Sequence, residues 1–288
     1  MRLQTQAPAK VNVCLLLGPV REQDGRHELV TVMQSLSLHD RVVLTAAGED
    51  VDADEVVCEG VAPEVNIAAA AIRLFREHHR WDGAPVRVEI AKRVPVAGGM
   101  AGGSADAGAV LRLLHHHTGL GSADELEGLA FAIGADVPSQ IRPGRVLATG
   151  AGELLERVPG VVRYGAVVVP SDRGLSTADV YREADALGIP RTAAQLAAGY
   201  EQVRAALPDL PDELCVNELE PAALSLRPDL QQTIDALTGL GADRALVSGS
   251  GPTVVGLFHD IDAARVAADA TPGSIIAKSV GPDAGEVT

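Results

Sequence analysis

Pro95-Val96-Ala97-Gly98-Gly99-Met100-Ala101-Gly102-Gly103-Ser104-Ala105 lies between a strand pattern and a helix pattern. Before it, Val86, Val88 and Ile90 alternate with Arg87 and Glu89, as in a half-buried strand. After it, Ala107, Val110, Leu111 and Leu114 fall on one stripe and predict a helix over 104–117. Four glycines in six residues allow backbone shapes closed to residues with a Cβ, and let the main chain approach a bulky ligand. A helix start adds unpaired N–H groups and a positive dipole end. The stretch therefore predicts a phosphate cradle spanning Pro95 to Ser104, against the plainer reading of a ligand-free turn. The Ser104 hydroxyl suits a phosphate oxygen or a Mg²⁺-bound water. Asp106, in the first turn, reads as a dipole-stabilising carboxylate, with metal binding as the alternative. No Lys follows the second glycine pair, so this is not a Walker A loop, and the Gly-x-Gly-x-x-Gly spacing also fails. His-Arg-Asp and Asp-Phe-Gly, the protein-kinase signatures, are absent from the chain.

Upstream, residues 3–17 alternate imperfectly around Pro8 and predict two short strands, or one with a break. Asp24-Gly25 predicts a turn. Residues 29–44 read as strands with a turn at Asp40-Arg41, residues 47–55 as an acidic surface loop, and residues 66–79 as an amphipathic helix. Downstream, 122–133 predicts a helix opened by Ser122 with Glu125 three residues on, a capping-box pattern. Strands follow at 145–149 and 165–169, then four or five helical patterns across 177–240. Strand patterns at 245–248, 253–258 and 274–280 close the chain, with a helix at 261–270. Regular βαβ alternation is missing, which favours an α+β fold over a doubly wound sheet.

The 288 residues suit two domains, and Val158-Pro159-Gly160 suggests a division into 1–158 and 159–288. With 47% hydrophobic but only 2% aromatic residues, the core must be filled by aliphatic side chains. A formal charge of −15 argues against nucleic-acid and anionic-membrane partners, but not against an anionic small molecule held by backbone amides. Cys14, Cys58 and Cys215 form no Cys-x-x-Cys pair, which argues against a disulfide framework or structural zinc. Neither a signal-peptide pattern nor an apolar run of membrane-span length is present. The expectation is a soluble cytoplasmic protein.

Three further punctuation points carry chemistry. Lys10, one of only three lysines with Lys92 and Lys278, sits among apolar strand residues, where an ammonium needs a partner. Asp136, in Gly134-Ala135-Asp136-Val137-Pro138, follows a helix end in an apolar setting. It reads as a turn former or as a base facing a hydroxyl. Ser248-Gly249-Ser250-Gly251-Pro252-Thr253 reads as a hairpin turn or as a second glycine loop closing over the site. His115, His116 and His117 point about 100° apart on a helix and cannot all ligate one ion.

Three segments in this order resemble the motifs of the galactose, homoserine, mevalonate and phosphomevalonate (GHMP) kinase superfamily. They are Pro8-Ala9-Lys10-Val11-Asn12, the glycine stretch, and residues 247–253. Within it, four pieces are most similar to members that act on a cytidine-diphosphate-linked methylerythritol. These are residues 7–12, Asp24-Gly25-Arg26-His27-Glu28-Leu29, residues 134–138 and Asn217-Glu218-Leu219-Glu220-Pro221. The resemblance spans residues 7–258. It implies phosphorylation of that substrate's 2-hydroxyl by ATP with Mg²⁺, in the non-mevalonate isoprenoid precursor pathway. It implies an N-terminal domain like the second domain of ribosomal protein S5 and a ferredoxin-like C-terminal domain. By position, Asp136 is the base, Lys10 keeps it charged and orients the hydroxyl, and Asn12 helps place that group. His27 reads the cytosine edge, Tyr181 stacks on its face, Ser250 and Gly251 border the substrate, and Asn66 contacts the nucleotide. The chain departs from the pattern at Arg26, where members often carry an aromatic residue. An Arg plane can also stack on a base. It departs again at Ser139-Gln140-Ile141, more polar than the family's apolar run. Homoserine- or mevalonate-type kinases, whose acceptors lack a base, are the alternatives, followed by a nucleotide-binding regulator without turnover.

Overall fold

Two long strands begin the fold, β1 (Arg2–Val20) and β2 (His27–Ala46). The computed structural model describes residues 2–48, 51–62, 66–160 and 162–288. The strands pair antiparallel from Arg2 opposite Thr45 to Val20 opposite His27. The turn between them carries Gly25 at φ 70° and a hydrogen bond from the Arg26 N–H to Asp24 Oδ1. Pro8 does not split β1. The ladder shifts register between Pro8 and Lys10 and again between Asn12 and Cys14, so bulges absorb the missing donor.

The turn expected at Asp40-Arg41 is not formed, and β2 runs through it. Asp40 is fully buried there. Its carboxylate accepts from the Arg93 and Val94 amides and from Lys92 Nζ. Interior donors thus replace the water that a turn aspartate would meet.

β2 is the spine of a mixed sheet. Residues 41–46 pair with β4 (Val86–Ala91), residues 31–34 pair with β5 (Arg145–Thr149), and β1 lies along the other edge. β3 (Glu55–Cys58) pairs parallel with β4, and β6 (Leu154–Arg157) pairs antiparallel with β5. At four residues each, these outer strands carry too little alternation to be read from sequence. Residues 49 and 50 of the expected acidic loop lie outside the described residues.

α1 (Ile67–His79) and α2 (Gly102–Thr118) cover one face of the sheet. Ile72, Phe75, Leu111 and Leu114 pack with Val42, Leu44 and Val88, and each such buried side chain stabilises by roughly 1.5–3 kcal/mol. Ala68, Ala71, Ala105 and Ala109 are fully or almost fully buried, small enough to let the two helices approach closely. α3 (Ala123–Ala130) and α4 (Val137–Ile141) lead to β5.

A second sheet is built from β7 (Gly165–Val169), β8 (Arg244–Val247), β9 (Val254–Phe258) and β10 (Ile275–Lys278), in the order β10-β7-β9-β8. All three pairings are antiparallel. Four helices separate β7 from β8: α5 (Thr177–Ala186), α6 (Ala193–Ala206), α7 (Glu220–Leu226) and α8 (Leu230–Gly239). α9 (Ile261–Asp269) joins β9 to β10, which completes a ferredoxin-like arrangement. Ala9, Val11, Val13 and Leu16 of β1 share one core with Val168, Leu246 and Val255 of this sheet, so β1 binds the two layers together. The architecture is α+β. No helix among the described residues is long and apolar enough to cross a membrane.

Candidate active site

α2 begins inside the glycine stretch, at Gly102, two residues before the apolar periodicity starts. Its N-cap, Ala101, lies in the left-handed region at φ 56° and offers no side-chain cap. The first N–H groups of α2 therefore have neither an intrahelical acceptor nor a capping oxygen. Gly102, Gly103 and Ser104 present them to a cavity of about 530 Å³. Ala97 is also left-handed, at φ 55°. A non-glycine residue held there costs on the order of 1–3 kcal/mol, so the surroundings impose the loop's shape. Part of that constraint comes from Met100, whose side chain is buried in the core while its carbonyl accepts from the Lys10 N–H at 3.1 Å. Of the stretch, Pro95 to Gly99 and Ala101 to Ser104 line the cavity, and the Met100 side chain does not.

Lys10 is 4% exposed, and its Nζ has three oxygen partners. It donates to Asn12 Oδ1 at 2.6 Å and to the Gly99 carbonyl at 3.2 Å, and it stands 3.6 Å from Asp136 Oδ2. Asn12 is oriented in turn by its Nδ2, which donates to Thr31 Oγ1 at 2.8 Å, and that hydroxyl donates to the Cys14 carbonyl. Asp136 is the N-cap of α4, but its carboxylate makes no capping bond and its side chain is 39% exposed. It stays open to the cavity. The unusually polar Ser139 and Gln140 are both buried. Ser139 Oγ donates to the Asp136 carbonyl at 2.7 Å and accepts from Gln140 Nε2 at 3.0 Å, which fastens the backbone that carries the acid.

The second glycine loop links β8 to β9 and touches the first. Ser248 Oγ donates to the Gly99 carbonyl at 3.2 Å. A Cβ on Gly249 would lie 3.3 Å from Asn12 Oδ1 and 3.4 Å from Lys10 Nζ. Ser250 borders the cavity and bonds Thr177 Oγ1 at 2.9 Å, whereas Gly251 packs behind it against Gly99. Asn217 holds this loop, a role not evident from its place in a family motif. Its Nδ2 donates to the Val247 and Gly249 carbonyls at 2.8 and 2.7 Å, and its Oδ1 accepts from the Leu219 N–H.

At one end of the cavity, Cys58, Val61 and Ile67 form an apolar slot beside Asn66, Lys92 and Asp106. The Asn66 side chain caps α1, accepting from the Ala68 N–H at 3.0 Å. Lys92 bridges Asp40 at 2.5 Å and Asp106 at 2.8 Å, an ionic group that no sequence pattern announces. Asp106 Oδ1 is buried with no partner. Burial pushes the Asp106 carboxyl up to about 7, Lys92 working against it and Asp40 with it. The folded protein thus keeps a proton that the unfolded chain releases near pH ~4. The stability that this proton confers is fully present below ~4 and is lost as pH rises through about 7. Asp106→Asn is accordingly expected to gain melting temperature over the unsubstituted protein between pH 5 and pH 8. A difference that is constant or shrinks over that range would refute the shift.

At the other end stand Tyr181, Thr177 and Leu29. Burial and the nearby Asp136 charge push the Tyr181 hydroxyl up to about 12. His27 lies behind Tyr181, with ring centroids 5.4 Å apart, and does not line the cavity. Its Nδ1 donates to the Gly18 carbonyl at 2.9 Å and its Nε2 stands 3.2 Å from Asp185 Oδ1. Arg26 is exposed, with its guanidinium 4.9 Å from the Phe131 ring centroid. The structure therefore gathers Lys10, Asn12, Asn66, Asp136, Tyr181, Ser250 and most of the glycine stretch around one cavity, and leaves His27, Arg26 and Gly251 just outside its lining.

Residues 66–144 match the GHMP kinases N terminal domain, and residues 200–271 match GHMP kinases C terminal. A 4-diphosphocytidyl-2-C-methyl-D-erythritol kinase of Nocardioides sp. is 41% identical, over 97% of this chain and 97% of that protein. One from Corynebacterium efficiens is 38% identical over 98% of this chain and 93% of that protein. Among solved structures, a 4-(cytidine 5'-diphospho)-2C-methyl-D-erythritol kinase superposes with a TM-score of 0.78 at 31% identity, over 96% of this chain and 99% of the other. Homoserine kinase from Cytophaga hutchinsonii superposes at 0.75 with 19% identity, over 100% of this chain and 97% of the other, a likeness of fold.

Proposed function

The chain belongs to the 4-diphosphocytidyl-2-C-methyl-D-erythritol kinases of the GHMP kinase family, and we propose that Lys10 and Asp136 carry its reaction. That reaction is ATP-dependent phosphorylation of the 2-hydroxyl of 4-diphosphocytidyl-2-C-methyl-D-erythritol, a step of the non-mevalonate isoprenoid precursor pathway. The observation that carries the reading is the buried Lys10 ammonium 3.6 Å from the Asp136 carboxylate, bound at once to the Gly99 carbonyl of the phosphate loop. One cation thereby links the donor's cradle to the acceptor's base.

ATP fits the cavity by two features: amides at the α2 start without capping partners, and the orphaned Asp106 Oδ1 beside an apolar slot of nucleobase character. Residues 98–104 hold the phosphates, while Asn66 and Asp106 face the base. Mg²⁺ would accompany the triphosphate and neutralise part of its charge, with the Ser104 hydroxyl as the side chain at hand. Asp136 accepts the hydroxyl proton as transfer proceeds, and Lys10 with Asn12 fixes the hydroxyl's approach. Positioning and charge stabilisation supply most of the acceleration in phosphoryl transfer. The division into a nucleotide-holding part, 1–158, and a second part, 159–288, belongs to the same reading.

The cytidine diphosphate end is assigned to Tyr181, with His27 behind it exchanging Asp185 for the base edge. Removing a stacked aromatic costs about 1–3 kcal/mol per base. Tyr181→Ala is therefore expected to raise the acceptor KM roughly 5- to 150-fold, with the ATP KM nearly unchanged. Coupled ADP release tests the whole assignment. Turnover is expected with the cytidine-linked substrate and not with homoserine or mevalonate, and cytidine diphosphate should compete. Turnover indifferent to cytidine diphosphate would move the chain to a base-free acceptor.

A further inference from the structure

We propose that His78, His79 and Glu125 form a binding site for a divalent transition-metal ion of the zinc class, remote from the catalytic cavity. The three residues meet where the C-terminal end of α1 faces the first turn of α3. His78 Nε2 lies 2.8 Å from Glu125 Oε1, His79 Nδ1 lies 3.9 Å from the same oxygen, and one donor atom from each residue falls within 4.8 Å of the others. Donors around a tetrahedral ion at bond lengths of about 2.0–2.1 Å stand about 3.3 Å apart. The observed separations bracket that value, so small side-chain rotations suffice.

Three independent features point to a ligand. The His79 side chain is 9% exposed and neither ring nitrogen makes a hydrogen bond: Nε2 is buried without a partner, and Nδ1, the nitrogen nearest the Glu125 carboxylate, is left as the donor atom for an ion. A buried imidazole without partners is costly unless something completes it. Second, Glu125 forms only half of the expected capping box. Ser122 Oγ accepts from the Glu125 N–H at 3.2 Å, while the Glu125 carboxylate turns away to His78. Third, Gly121, at φ +77°, keeps the approach open, since a Cβ there would lie 2.9 Å from His79 Cε1 and 3.3 Å from Glu125 Oε2.

The surroundings favour a cation. The C-terminal ends of α1 and α2 present the negative pole of a helix dipole here, set against the positive pole of the α3 start, which the Glu125 carboxylate offsets. Aromatic rings form one wall, with Phe75 at 4.5 Å from His79 and Trp81 at 6.1 Å from Phe75. Two imidazoles and one carboxylate suit zinc, cobalt, nickel or copper and not magnesium, and a water would fill the fourth position. α2 is 17 residues long, so this end lies about 25 Å along its axis from the phosphate loop. An ion here would fasten α1 to α3 without entering the chemistry.

The test uses the full chain, stripped of metal and free of nucleotide. Co²⁺ is titrated by visible absorption, Zn²⁺ by calorimetry, and quenching of Trp81, the single tryptophan, reports proximity. The expected result is one equivalent of Co²⁺ with a tetrahedral spectrum, quenched Trp81 fluorescence, and no competition from excess Mg²⁺. The exposed pair supplies the variants. His78→Ala and Glu125→Gln should each weaken binding roughly 100-fold or more, since changes merely next to metal ligands already cost 10–100-fold. Zn²⁺ should raise the melting temperature of the unsubstituted protein and leave that of Glu125→Gln unmoved, while Glu125→Gln keeps its kinase turnover. A solution-like octahedral spectrum, or Co²⁺ binding that survives both substitutions, overturns the proposal.

Discussion

Asp136→Asn is expected to lower kcat about 1,000-fold, within the range of 10²–10⁴ for loss of a general base, while ATP affinity stays within about twofold. The asparagine keeps the shape of the side chain but cannot accept the hydroxyl proton. Because the Asp136 side chain is 39% exposed and makes no cap hydrogen bond, the fold should tolerate the change. Lys10→Ala should be comparably inactive for a different reason. It leaves Asn12 Oδ1 without its donor and the Gly99 carbonyl with Ser248 Oγ alone, at about 1–3 kcal/mol for a buried group left unsatisfied. Lys10→Met, which retains most of the volume, separates lost chemistry from lost packing. Stopped-flow ADP release measures turnover in each variant, and calorimetry measures ATP binding. Near-normal kcat in Asp136→Asn would remove it from the role of base.

The second large effect belongs to Gly99. A Cβ there would lie 2.2 Å from the Ser248 carbonyl oxygen and 3.0 Å from the Gly251 nitrogen, at φ +74°. Both neighbours are backbone and cannot swing aside. Gly99→Ala should therefore force the two glycine loops apart, lower stability by about 2 kcal/mol or more, and shift the carbonyl that receives Lys10. A fall in kcat of tenfold or more should accompany it. Gly103→Ala makes the contrast. The nearest atom to its Cβ is 3.9 Å away, on Ile67, and an alanine within a helix gains up to about 1 kcal/mol over glycine. It should unfold at a higher denaturant concentration yet show a raised ATP KM, because on the proposed assignment the added methyl enters the cavity that takes the phosphates. Urea unfolding and steady-state kinetics on the two variants decide the matter. If Gly99→Ala were as stable and active as its parent, contact between the loops would not be what shapes the cavity.

The features legible in the sequence are those with a strong local signature. The glycine stretch is legible as a strand-to-helix loop of unusual backbone freedom, and it lines a cavity at the start of α2. The α1 and α2 stripes, the Ser122 cap and the strands of the second sheet follow from periodicity. What escapes depends on partners distant in sequence. Asp40 reads as a turn former because its satisfying donors lie more than 50 residues away, at Lys92, Arg93 and Val94. Asn217 opens a motif piece, but nothing in that piece points to its partners, the carbonyls of Val247 at the end of β8 and Gly249 in the second glycine loop. The histidine run at 115–117 suggests metal at first sight, while the better donor set joins two residues of α1 to one of α3. Arg26 and Ser139-Gln140 look like departures from a pattern. The first covers Phe131, and the second braces the backbone behind Asp136.

β2 runs unbroken from His27 to Ala46. Along it sit His27 behind Tyr181, Thr31 beneath Asn12, and Asp40 under Lys92. The two ends of the cavity are thus marks on a single ruler. A loop can lengthen or shorten without disturbing a distant site, but one residue gained or lost in the regular ladder between Thr31 and Ser35 would turn one mark to the opposite face of the sheet. On the proposed assignment, the spacing between the two substrates is written into one strand.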